Sequence, residues 1–146
     1  MAATGAASPA TTELPTRLIA GVAGGLAGGV VFGLLMQIMG MMPMVAMLVG
    51  SESIGAGWVV HLAISAGIGS TYGLIFARWA GQLAVGAALG IGYGVAWWVL
   101  GALLIMPARM GMDVLMLNTM AWQSLLGHLL YGLVLGLGYS FARSRT

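Results

Sequence analysis

Between Arg17 and Glu52 the chain carries no charged residue, and the stretches Ser53–Ala77, Trp79–Ala108 and Val114–Ala142 carry none either. Inside them lie four apolar runs, about Leu18 to Met39, Gly57 to Ala77, Leu83 to Met106 and Trp122 to Phe141. Each reaches the roughly 20 residues that a helix needs to cross a bilayer. A length of 146 residues would suit one soluble domain, yet only 5% of them are charged and 60% are hydrophobic. Soluble domains average about 25% charged residues. The fold class expected is all-α integral membrane, with four transmembrane helices and the lipid bilayer as their solvent.

Two of the runs share a plan. His61 is followed by Ser65, Gly69 and Tyr72, and His128 by Gly132, Gly136 and Tyr139. Histidine, a small residue at +4, glycine at +8 and tyrosine at +11 fall within an arc of about 80° at about 100° per residue. Each set is one narrow helical stripe. The other two runs are also alike: Gly21, Gly25, Gly29 and Gly33 recur every fourth position in the first, and Gly86, Gly90 and Gly94 in the third. Such ridges let another helix approach backbone to backbone. Gln37 extends the first ridge and is expected to face protein, since lipid offers its amide no partner. Met42-Pro43 and Met106-Pro107 end the two glycine runs. The chain thus reads as two tandem helical-hairpin repeats, about 17–78 and 81–143, related by an axis along the membrane normal. Residues 17–146 form a single four-helix domain in this reading. Met1 to Thr16, rich in Ala, Thr, Ser and Pro, reads as a disordered cytoplasmic tail rather than a signal peptide, because no basic residue precedes Arg17.

Charge sets the orientation. Arg17, Arg78, Arg143 and Arg145 fall on one side of four spans, and Arg109 falls on the other with Glu52 and Asp113. The positive-inside rule puts both termini and the Arg78 turn in the cytoplasm of a plasma or inner membrane. Trp58, Trp79 and Trp122 fit interfacial belts, and Tyr72 and Tyr139 are expected to anchor toward the inner side. Five scattered basic residues make no nucleic-acid footprint.

The outer side collects the chemistry. Apart from Met1, every methionine lies there: Met36, Met39, Met41, Met42, Met44 and Met47, then Met106, Met110, Met112, Met116 and Met120. His61 and His128 sit one to two turns below the same surface. Thioethers select Cu(I) and imidazole suits copper or zinc, so His61, His128, Met39, Met42, Met106 and Met110 are candidate copper ligands. The same histidines are candidate axial ligands of haem b between the second and fourth spans, with Gly69 and Gly136 making room for the macrocycle. Against both stand plainer roles: methionine fills irregular gaps, and a histidine near the interface makes an interhelical hydrogen bond. Asp113 is placed to pair with Arg109 at i+4.

Several enzyme classes fall away. Cysteine is absent, which excludes thiolate sites. No carboxylate pair suits acid–base work, and no glycine loop followed by lysine cradles a phosphate. The expectation is a non-enzymatic membrane protein. The alternatives are a structural or assembly protein packed through its glycine ridges, including a homo-oligomer, and an oligomeric transporter or channel subunit for small solutes.

Gly57-Trp58-Val59-Val60-His61, Tyr72-Gly73, Met106-Pro107 and Gly127-His128-Leu129-Leu130-Tyr131-Gly132 come in this order. With them the chain resembles the small four-helix membrane proteins of unknown function in bacteria and archaea, the YagU-like inner-membrane group. The resemblance covers about Leu18 to Phe141. It implies a four-span fold and no established activity.

Overall fold

The computed structural model describes residues 9–145, and these form helices joined by turns, with no strand among the described residues. The elements are α1 (Pro9–Ile38), α2 (Met42–Ala46), a 3-10 turn (Met47–Val49), α3 (Ile54–Phe76), α4 (Leu83–Trp97), a π-helical segment (Trp98–Ile105), α5 (Met106–Arg109) and α6 (Thr119–Arg143). Four helices are long and apolar enough to cross a membrane: Glu13–Ile38, Ile54–Phe76, Leu83–Arg109 and Thr119–Arg143. Large apolar side chains cover their outside, among them Ile19, Ile38 and Val59. The first eight residues of the expected disordered tail lie outside the described residues. From Pro9 onward that stretch is helical and belongs to α1, where Glu13 and Arg17 pair across one turn.

The long helices stand in a row, α3–α1–α6–α4. α1 packs against α3 and α6, α6 also packs against α4, and α3 meets α4 mainly through long side chains such as Tyr72 and Tyr93. Glycine explains the close contacts. A Cβ on Gly21 would run into Gly69, and one on Gly25 into Ser65 and Gly69. On the other pair, Gly86 faces Gly136 and Ser140, Gly90 faces Gly132, and Gly94 faces the His128 carbonyl. Both pairs are antiparallel and share one register, in which the third glycine of each ridge stands opposite a histidine. The contact between α1 and α6 uses a different face of α1, where Gly24 lies against Leu135 and Tyr139 and Gly28 lies against Tyr131.

Tyrosines close the core between these ridges. Tyr72 and Tyr139 are fully buried, with ring centroids 5.4 Å apart. Their hydroxyls donate to carbonyls of neighbouring helices, Tyr72 to Gly86 at 2.8 Å and Tyr139 to Gly73 at 3.4 Å. Tyr131 does the same to Ser65 O at 2.8 Å. Tyr72 and Tyr139 are therefore interhelical staples rather than interfacial anchors, because the narrow stripe that carries them faces the other helices.

One end of the bundle gathers the start of α1, the 77–82 turn and the end of α6: Gly73 lies against Arg17 O, and Ser140 Oγ donates to Ala80 O at 2.7 Å. The opposite end holds the two methionine-rich connections. The first is more ordered than a loop. Gly40 (φ +71°) terminates α1, with Met41 N–H donating to Met36 O at 2.8 Å and Gly40 N–H to Gln37 O at 3.1 Å. This is the paired-bond helix end that a left-handed glycine permits. Ser53 and Asn118 then accept the Ala56 and Ala121 N–H groups and cap α3 and α6.

Candidate functional site

At the methionine end the chain forms a half-open chamber of about 740 Å³. It occupies the gap between α3 and the α4–π segment, and both connections contribute to its wall. His61 and His128 line it, and so do eight thioethers: Met36, Met41, Met44, Met106, Met110, Met112, Met116 and Met120. A smaller space of about 70 Å³, lined again by Phe32, His61 and His128, continues it toward Ser65 and Tyr131.

The structure gathers four of the six candidate ligands named above, His61, His128, Met106 and Met110, into this one chamber. Met39 and Met42 are not among its lining residues. Beyond the glycine end of α1 the chain reverses, so Met42 turns inward beneath Gly57 and is buried to 1% exposure. Met39 packs against the same core. Met36, Met41 and Met44 take their place at the chamber wall.

Each histidine has one ring nitrogen tied to a carbonyl. His61 Nε2 lies 2.9 Å from Gly29 O, across the α1–α3 ridge, and His128 Nδ1 lies 2.8 Å from Ser124 O in its own helix. A carbonyl only accepts, so the bonded nitrogen carries the proton. In the neutral rings this leaves a lone pair on Nδ1 of His61 and on Nε2 of His128. Metal-binding histidines are oriented in just this manner, the far N–H donating to a carbonyl. Ser124 Oγ adds a contact at 3.3 Å to His128 Nδ1.

The space between the imidazoles is not empty. Phe32 packs edge-on against both, with centroids 5.4 Å from His61 and 4.8 Å from His128. Gly127 makes room for this ring, since a Cβ there would fall inside it. Gly33 likewise makes room for Trp58, whose indole N–H donates to Gln37 Oε1 at 2.6 Å. Haem ligation by both histidines would have to expel Phe32 from its place against the two rings. Gly69 and Gly136 offer no room for a macrocycle either, because their faces are closed against Gly21, Gly25 and Gly86.

Neither protein-family models, nor characterised proteins, nor solved structures gave any match to this chain.

The other wall is irregular for a traceable reason. Pro107 has no N–H to give to Leu103 O, its i−4 carbonyl. Leu115 supplies the missing donor at 2.7 Å, in a left-handed conformation (φ +58°) unusual for leucine. The helix before Pro107 widens into the π segment, and Met106 N–H reaches back five residues to Gly101 O. Trp98 Nε1 donates to Ala121 O at 2.9 Å and ties this wall to α6. Gly101, Leu103 and Ile105 of the π segment all face the chamber. The anticipated Arg109–Asp113 pair does not form among the described residues: α5 ends at Arg109, and Gly111 (φ +67°) breaks the helical register that pairing requires. Asp113 lines the chamber instead. No cluster of three His, Cys, Asp or Glu residues suited to a hard or borderline cation occurs among the described residues.

Sequence reasoning missed Phe32 and Asn118, whereas Ser124 and His128 were already placed on one helix face by their spacing. Phe32 had a signal: at +4 from Gly28 it continues the face of α1 that Gly24 and Gly28 press against α6.

Proposed function

We propose that this chain is a polytopic protein of the plasma or inner membrane, built as two parallel helical-hairpin repeats with both termini in the cytoplasm, and that its outer chamber binds Cu(I). The membrane assignment rests on the four long apolar helices and the apolar side chains around the bundle. The repeat rests on the common register of the glycine ridges and histidines in α1/α3 and α4/α6. In that orientation the chamber faces outward and the Arg78 turn faces the cytoplasm.

One observation carries the copper reading: two histidines, each with one nitrogen fixed by a carbonyl, share a chamber with eight thioethers. Thioether sulfur is a soft, neutral donor that suits Cu(I) and holds hard cations poorly. The donors outnumber the ligands one ion takes, so copper can be passed among them. The role this supports is capture or relay of copper at the outer membrane surface rather than catalysis.

The test is Cu(I) competition between the protein in mild detergent and a chromophoric Cu(I) chelator, beside the variant His61→Ala/His128→Ala. Stoichiometric Cu(I) uptake by the wild type, and a several-fold loss in the variant at unchanged helix content, is the expected result. A wild type that never competes for Cu(I) overturns the reading. A Soret band that vanishes in the variant would replace copper with haem b.

A further inference from the structure

The chamber's thioethers are not equally protected. Met36 and Met41 are buried at 6% and 8% exposure, whereas Met112, Met116 and Met120 are 52%, 55% and 42% exposed. These three belong to the second connection and the first turn of α6, and they still line the chamber. Met47 is 48% exposed and does not line it. The most exposed methionines among the described residues are thus partly chamber donors and partly not, which separates exposure from function.

We propose that Met112, Met116 and Met120 form an oxidation-sensitive rim, through which two-electron oxidants such as hypochlorous acid or hydrogen peroxide switch off soft-cation binding. This inference rests on the copper reading and deepens it. With hydrogen peroxide the thioether sulfur attacks one oxygen and forms the S–O bond as the O–O bond breaks; with hypochlorous acid it takes the chlorine as the O–Cl bond breaks, and water then displaces chloride from sulfur to give the same S–O bond. Sulfur gives up two electrons, the oxidant is reduced to chloride or water, and with hypochlorous acid a net proton leaves to solvent. The product sulfoxide is polar and chiral. Its oxygen is a hard donor, and its sulfur has lost the electron richness that Cu(I) prefers. Reduction by a methionine sulfoxide reductase reverses the change. With no cysteine in the chain, the thioethers are its principal sites for such oxidants. The rim stands where an external oxidant arrives first.

The experiment uses the full chain in lipid nanodiscs, so that lipid covers the spans. Sub-stoichiometric hypochlorous acid is added, sulfoxides are mapped by peptide mass spectrometry, and Cu(I) binding is read by chelator competition at each step. Met112, Met116, Met120 and Met47 are expected to oxidise well before Met36 and Met42, with loss of Cu(I) binding tracking the rim. Sulfoxide reductase then restores binding. The variant M112L/M116L/M120L is expected to hold Cu(I) several-fold more weakly through the inner donors, and to keep that binding while Met47 oxidises. Oxidation spread evenly over buried and exposed methionines overturns the inference. So does a fully oxidised rim with unchanged Cu(I) affinity, an outcome that leaves the copper reading standing. A chain that binds no Cu(I) before oxidant is added sinks both.

Discussion

Glycine positions decide how this bundle closes, and they differ sharply in what they tolerate. Gly132 meets Gly90 backbone to backbone, while a Cβ added to Gly67 or Gly92 would have nothing within 4 Å. Gly132→Ala is expected to cost about 1–3 kcal/mol through overpacking. Gly67→Ala should be neutral or slightly stabilising, because alanine is the better helix former. Thermal unfolding in detergent compares them directly. Tyr131→Phe removes one interhelical hydrogen bond, worth about 0.6 kcal/mol and at most about 1.7 in a membrane protein. At this scale the sequence was legible where spacing carried the information. The histidine stripes, the ridge on Gly21 to Gly33 and the Gln37 contact all followed from periodicity. Met39 and Met42 did not, because their direction depends on a chain reversal at Gly40 that periodicity does not describe. The role of Tyr72 and Tyr139 was misread, because anchoring was inferred without the neighbours that bury their rings and accept from their hydroxyls.

Between elements, the unequal packing of α1 and α4 makes the chamber. On α1, Gly24 and Gly28 let α6 come close. In the shared ridge register the corresponding α4 positions are Leu89 and Tyr93. Tyr93 projects toward α3, its hydroxyl 2.6 Å from Thr71 Oγ1 and 3.3 Å from Ile68 O. Its bulk wedges α3 away from α4 and leaves the gap. Tyr93→Ala is therefore expected to draw the two helices together, and Tyr93→Phe to leave their spacing intact. Pulsed electron resonance between spin labels introduced at Val59 and Val99 reads the change: a shorter distance in the alanine variant is the prediction, and an unchanged one removes the wedge argument. Gly24-Gly25 and Gly28-Gly29 are doublets that give α1 two adjacent ridges, so this asymmetry was present in the sequence. The π segment was not legible, since it arises from Pro107 together with a donor twelve residues after Leu103.

For the molecule as a whole, the absence of cysteine makes topology directly measurable. Single-cysteine variants at Ser51 and Ser144 report the two ends of the bundle. In intact cells a membrane-impermeant maleimide should label Ser51→Cys, and should label Ser144→Cys only after permeabilisation. The reverse pattern would turn the chamber toward the cytoplasm.

Helix α1 has close glycine contacts on two faces, and its second partner, α6, is the last of the described helices. Gly28 and Tyr131 are separated by about 100 residues, which at roughly 5–20 residues per second is a delay of several seconds or more during synthesis. Through that interval the glycine face of α1 stays unmatched, able to pair with α1 of a neighbouring nascent chain. The doublets that give the finished bundle its tight centre also make its biogenesis a race between self-completion and exchange.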